Sequence, residues 1–171
     1  MPVLLPDGYA GYTREPDGEN NTRVMTYYDA AGARVMAAAG SCEIRREFDT
    51  GKRVTREAWF DAEGHPIPVK DTYAEVQRVY DEAGNPILEQ YFGTDGKLIL
   101  NATGYATVSR SFDENKKQIG EAYFGLEDEP VLSTKGYASL VRELNEDGWI
   151  LTESYYGTDG EPILLEKGYT S

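Results

Sequence analysis

Polar and apolar residues alternate in short bursts along this chain. In the stretch 104–112, alternation puts Ala106, Val108, Arg110 and Phe112 on one face. Thr107, Ser109 and Ser111 share the other face with Tyr105. A turn follows at 113–116, and its equivalents Asp81-Glu82-Ala83-Gly84 and Asn145-Glu146-Asp147-Gly148 carry the Asx-then-Gly chemistry of a type I turn with a left-handed exit. A second strand such as 87–92, a second turn at 93–96 and a short apolar strand at 98–100 complete the motif. Helical periodicity is absent, and closely spaced Gly and Pro would break helices repeatedly. The pattern predicts an all-β chain of hairpins, each with a short third strand.

The motif recurs every 32 residues. Tyr9, Tyr73, Tyr105, Tyr137 and Tyr169 keep that step, with Ser41 in the missing slot. Arg14, Arg46, Arg78, Arg110 and Arg142 keep it without a gap, as do Glu57, Glu89, Glu121 and Glu153, where Met25 stands in the first copy. The adjacent pairs Tyr27-Tyr28, Trp59-Phe60, Tyr91-Phe92, Tyr123-Phe124 and Tyr155-Tyr156 hold the same register. Five copies run 8–39, 40–71, 72–103, 104–135 and 136–167 with no insertion. Tandem hairpins of this kind contact mainly their neighbours, so the expected architecture is an elongated solenoid or a continuous sheet, a single repeat array over 1–171 with no central core. Pro2-Val3-Leu4-Leu5 matches Pro162-Ile163-Leu164-Leu165 five periods later, so partial units stand at both ends. Neither end reads as a polar capping unit, and the expectation is a segment excised from a longer protein, with further repeats or domains of the parent chain as its neighbours.

The charged columns test the hairpin. Folding about the first turn brings Arg110 near Glu121 and Phe112 near Ile119, and the spacing of 11 residues recurs in Arg46 and Glu57, Arg78 and Glu89, and Arg142 and Glu153. Arg stands among the apolar residues of its strand, so a sunken, charge-neutral Arg–Glu pair in each hairpin is the expected arrangement. The alternative, an arginine ladder for acidic ligands, is disfavoured by the matched glutamates.

Composition narrows the function. The 17 Lys and Arg against 30 Asp and Glu leave a net charge of −13, which repels polyanions and argues against nucleic acid and anionic membrane surfaces. No apolar run is long enough to cross a membrane as a helix, so no direct membrane insertion is expected. One Cys and one His are too few for a multi-ligand metal site or a disulfide framework, and no cofactor or metal is expected. His65 reads as an exposed turn residue, and Cys42, in a column with Ala10, Ala74, Ala106 and Ala138, as a small buried one. No nucleophile elbow or phosphate loop is present, and the segment is read as non-catalytic. The 13 Tyr remain as the unusual feature of a chain with a mean hydropathy of −0.57.

In the second strand the paired aromatics point to opposite faces, so one column is available to the core and the other to solvent or ligand. Rows of aromatic rings either glue repeat to repeat or stack on the sugars of a polymer. The candidate ligand-binding residues are Trp59, Tyr91, Tyr123 and Tyr155, with Tyr73, Tyr105 and Tyr137 beside the loops.

Gly148-Trp149 followed by Tyr155-Tyr156-Gly157-Thr158-Asp159-Gly160 resembles the choline-binding and glucan-binding cell-wall repeats of Gram-positive bacteria, which are β-hairpin solenoids. Tyr80-Asp81-Glu82-Ala83-Gly84-Asn85 and Phe60-Asp61-Ala62-Glu63-Gly64 are similar to the tyrosine–aspartate repeats of bacterial surface and toxin-shell proteins. The resemblance implies a bacterial, cell-envelope-associated repeat domain whose exposed aromatics meet a cell-surface glycan, a neutral one given the acidic charge. Comparable hairpins appended to enzymes that make cell-wall or capsule polymers imply the alternative, a spacer or assembly module that positions or oligomerises an attached enzyme.

Overall fold

A computed structural model describes residues 5–69 and 72–164 of the chain. Every regular element among them is a strand, and the sheet is antiparallel. The strands are β1 Gly11–Pro16, β2 Thr22–Tyr28, β3 Glu43–Phe48, β4 Val54–Phe60, β5 Glu75–Tyr80, β6 Pro86–Phe92, β7 Thr107–Phe112, β8 Gln118–Phe124, β9 Ser139–Leu144, β10 Ile150–Tyr156 and β11 Pro162–Ile163. Strand order in the 11-stranded sheet follows the sequence from β1 to β11. The all-β hairpin architecture expected from the alternation is therefore the observed one. Tyr169, Leu165 and the segment Pro2 to Leu4, used above for the end columns, lie outside the described residues.

Local chemistry explains each hairpin. The first turn opens on Asp17, Asp49, Asp81, Asp113 or Asn145, whose side-chain oxygen caps the turn. Asp49 Oδ1, for example, accepts from the backbone N–H of Gly51 at 2.8 Å and of Arg53 at 2.9 Å. Asn145 Oδ1 does the same for Trp149 N–H at 2.8 Å. Three residues past the capping residue the backbone turns left-handed, at Gly84 with φ 91° and Gly148 with φ 75°, as the Asx-then-Gly reading requires. Asn20, Lys52 and Lys116 occupy the same conformation at φ 67°, 62° and 63° without glycine's freedom.

Two details depart from the sequence reading. Phe112 pairs with Gln118, not Ile119, because the register shifts between Ser111 and Phe112. The same shift occurs in three further hairpins, at Glu15/Pro16, Glu47/Phe48 and Ile150/Thr152, so it belongs to the repeat. The short third strand is reduced to single bridges, Phe92 with Leu98 and Phe124 with Pro130, and β11 has only 2 residues.

The chain divides into two units, residues 1–78 with 91–98, and residues 79–90 with 99–171. In the first, each hairpin joins the next through three residue pairs: Val24–Arg45, Met25–Ile44 and Thr26–Glu43, then Arg56–Gln77, Glu57–Val76 and Ala58–Glu75. Ala37, Cys42, Ile44, Ala58, Phe60, Ala74 and Val76 are buried there. In the second, Leu88–Ser109, Glu89–Val108 and Gln90–Thr107, then Gly120–Val141, Glu121–Leu140 and Ala122–Ser139, make the same joints. Its core is Val108, Tyr123, Tyr137 and Leu140, with Tyr105, Val131, Tyr155 and Ile163 packed against them. Thr107, assigned by alternation to the polar face, is buried, since here β7 is paired along both edges.

Replacing Lys52 with Gly removes a side chain from a left-handed position, and that relief exceeds the added chain entropy. Lys52→Gly is expected to stabilise the chain by about 0.5–1 kcal/mol, read as a higher urea midpoint at unchanged slope.

Candidate functional site

The aromatic columns sit next to one another in the fold. The rings that open repeats lie against the rings near the end of the hairpin's second strand. In the first unit Tyr73 stands 5.7 Å from Trp59 and 4.8 Å from Tyr91, centroid to centroid, and Tyr9 lies 4.8 Å from Tyr27. In the second, Tyr105 stacks on Tyr123 at 4.5 Å, Tyr123 meets Tyr137 at 5.8 Å, and Tyr137 meets Tyr155 at 5.0 Å. These separations are in the range of attractive aromatic pairs. Tyr91, Tyr123 and Tyr137 are buried, while Trp59, Tyr73, Tyr105 and Tyr155 are half-buried. All seven predicted ligand-contact residues thus have one another as neighbours.

Ser41 shows what the ladder loses when a ring is missing. It fills the Tyr slot between Tyr27 and Trp59, is fully buried, and its hydroxyl has no hydrogen-bond partner among the described residues. Such a group weakens the fold around it. The neighbouring Cys42 is also fully buried, and burial pushes its thiol up.

The charged columns lie in register beside the rings. Arg46 is opposite Glu57 and bonds it at 2.7 Å, and Arg142 is opposite Glu153 at 2.5 Å. Arg110 is opposite Glu121 at 3.7 Å but bonds Glu89 of the preceding repeat more closely, at 2.9 Å. Arg78 falls in the first unit and Glu89 in the second.

Glu121 is the richest of these nodes. Its carboxylate, 8% exposed, accepts from Lys135 Nζ at 2.8 Å, Gln118 Nε2 at 3.3 Å, Tyr137 Oη at 3.3 Å and Tyr123 Oη. Lys135 Nζ also donates to Tyr123 Oη at 2.6 Å and lies over the Tyr123 ring. Burial opposes the charge on Glu121, but the hydrogen bonds from Lys135 and Tyr123 outweigh it and hold the carboxyl below its ordinary value of 4.5. Burial and the bonded carboxylate together push the Tyr123 phenol far up. The Tyr155 phenol, donating to Glu153, is pushed up to about 12. These tyrosines stay protonated at neutral pH, and their hydroxyls are committed to carboxylates.

Two features escaped the sequence reading. Glu43 is buried at 4% side-chain exposure, with Arg34 at 2.7 Å and Arg45 at 2.6 Å. Arg45 in turn lies 3.8 Å over the Phe60 ring. The next hairpin repeats the theme, Arg56 reaching Glu75 at 2.6 Å. The column holding Glu43 and Glu75 continues as Thr107 and Ser139, so no periodic charge signal marks it. The second feature is a column of exposed apolar residues beyond the second turn, Met36, Leu100, Leu132 and Leu164. Trp149 is the most exposed of the rings at 73%, and His65 stands in solvent beside Asp61.

No group of three or more His, Cys, Asp or Glu among the described residues is arranged to hold a metal ion. A shallow groove on the second unit, lined by Ser109, Ser111, Gly120 and Ser139 among others, has a volume of about 270 Å³ and is open to solvent.

Glu121→Gln removes the charge that Lys135, Arg110 and the phenols of Tyr123 and Tyr137 share, and is expected to destabilise the chain by about 2 kcal/mol at neutral pH. Because the folded carboxyl titrates below its unfolded value of 4.5, that contribution is complete above this pH and is lost as pH falls through the folded value. Urea unfolding of both proteins across this range should therefore show their difference closing on acidification; a gap independent of pH would contradict the assignment.

No known family model matches the sequence, and no curated protein matches it either.

Proposed function

We propose that this array is a structural module, a spacer or assembly segment that holds or spaces whatever is joined to it. One observation carries the reading: the aromatic columns are spent on each other. A sugar-stacking platform needs a flat ring face open to solvent. Here the ring faces of Tyr105, Tyr123 and Tyr137 lie against neighbouring rings, and the hydroxyls of Tyr123 and Tyr155 are bonded to carboxylates. The Arg–Glu columns and turn contacts serve the same end. Lys116 Nζ reaches the Ala83 carbonyl at 2.8 Å, and Lys117 Nζ reaches the Asp147 carbonyl at 3.1 Å, so one first turn is tied to its counterparts in both adjacent repeats.

Association with a neutral cell-envelope glycan is the second reading, and Trp149 favours it. Its ring is 73% exposed and follows the Gly148 turn, at the point where the resemblance to cell-wall repeats begins. Trp59, Tyr73, Tyr105 and Tyr155 are themselves half-buried, so part of each ring remains accessible.

A pull-down on peptidoglycan, glucan and choline resins separates the two. The structural reading predicts no saturable retention of the chain, and no change on Trp149→Ala or Trp59→Ala. Saturable binding that Trp149→Ala abolishes while leaving the melting curve unchanged would replace it with the glycan reading.

A further inference from the structure

Within the second unit β8 and β9 pair only from Gly120–Val141 to Ala122–Ser139, and beyond Val141 they diverge toward their first turns. A cleft of about 760 Å³ opens in that fork. Asp113, Glu114 and Ile119 of one hairpin line it, with Glu143, Leu144 and Glu146 of the next. Ile119 and Leu144 are half-buried, whereas Glu114, Glu143 and Glu146 are exposed, so an aliphatic floor lies between carboxylate rims. The column of Leu144 holds Phe48, Tyr80 and Phe112 in three other repeats. A smaller side chain where those repeats place a ring leaves room between the turns. Lys117 Nζ donates to the carbonyls of Asp147 and Gly148, at 3.1 Å each, and ties the two turns together.

The turns use little of this acidic charge. Asp113 gives only Oδ1 to the backbone N–H groups of Asn115 and Lys117, and Glu143 gives Oε2 to the Thr152 hydroxyl at 2.9 Å. Glu114 and Glu146 bond nothing among the described residues. Of the cations at hand, Arg142 is bonded to Glu153 at 2.5 Å and Lys117 to its two carbonyls. The carboxylates do not converge on one point, since no three acidic groups among the described residues are arranged to hold a metal ion. A compact cation therefore cannot serve both rims at once, whereas an extended one can.

We propose that this cleft binds a linear aliphatic polyamine. Its methylene segments lie on Ile119 and Leu144, and its ammonium groups meet Asp113 and Glu114 on one rim and Glu143 and Glu146 on the other. Lysine side chains divide in the same way, stem on apolar surface and charge in water. A cleft lined by one sign of charge concentrates its counter-ion, and the net charge of −13 adds to that attraction. The fork is closed at its inner end by the β8–β9 joint and bridged by Lys117 between the turns, so it suits a short chain lying across it better than a peptide running through it. The inference goes beyond the structural-module reading and does not depend on it.

Isothermal titration calorimetry with spermidine, a triamine, tests it at about 20 mM ionic strength, where the Debye length is roughly 20 Å. The expected result is saturable binding of one spermidine per chain, weakened by salt and tighter than that of hexaamminecobalt(III), a compact cation of the same charge. Glu114→Gln with Glu146→Gln takes one charge from each rim, breaks no hydrogen bond, and should lower the affinity about tenfold. Leu144→Phe alters no charge, restores the ring of the other repeats, and should lower it comparably. Glu127→Gln with Glu161→Gln makes the same change in net charge at exposed positions outside the cleft, and should leave the affinity within about twofold. Melting curves matching the parent's are expected for both Gln pairs, which carry the test should Leu144→Phe fold poorly. Absence of saturable binding overturns the inference. So does an equal loss in the two Gln pairs, full affinity in a folded Leu144→Phe, or equal binding of the compact cation.

Discussion

Tyrosine rings of this sheet pack ring on ring, within a repeat as Tyr105 on Tyr123 and across to the next as Tyr123 on Tyr137, and the rest of the fold is arranged around that contact. A hairpin of two strands, 6 and 7 residues long in β7 and β8, is too thin to enclose a core of its own. Tyr123 is buried because Tyr105 covers one side and Tyr137 another, and Tyr137 is buried because Tyr123 and Tyr155 flank it. Tyrosine suits this position better than phenylalanine would. Its ring supplies the area and its hydroxyl donates to the carboxylate two residues earlier on its own strand, as Tyr123 does to Glu121 and Tyr155 to Glu153. The carboxylate must then be neutralised, and the Arg column does so from the partner strand or the adjacent repeat. Ring, carboxylate and guanidinium form one device, repeated, and this resolves how a chain with few aliphatic residues becomes ordered.

The device also sets what the surface can do. A ring packed between rings is poorly placed to receive a sugar, and a phenol bonded to a carboxylate is poorly placed as an acid or base. What remains accessible includes positions outside the ladder: Trp149 beside its turn, and the aliphatic column of Met36, Leu100, Leu132 and Leu164.

Much of this was legible in the residues. The 32-residue step located every hairpin, the Asx-to-Gly turns located their left-handed exits at Gly84 and Gly148, and the 11-residue spacing set Arg46 across from Glu57 and Arg142 across from Glu153. The register slip that pairs Phe112 with Gln118 was not, because a bulge leaves no mark in simple alternation. The Glu43 network was hidden for a different reason. Its column reads Gly, Glu, Glu, Thr, Ser down the repeats, and its partner Arg34 stands nine residues away beyond a turn, outside any strand. Nor does periodicity alone say which face of an aromatic column is covered; that depends on a ring from the next repeat leaning over it.

A double-mutant cycle between Tyr123 and Tyr137, by urea unfolding of both single alanine variants and the pair, asks most directly whether contact between repeats carries the stability. The account predicts that the two losses are not additive, with a coupling of about 0.5–1.5 kcal/mol. Additive losses would mean that each ring serves its own hairpin alone, and would contradict it.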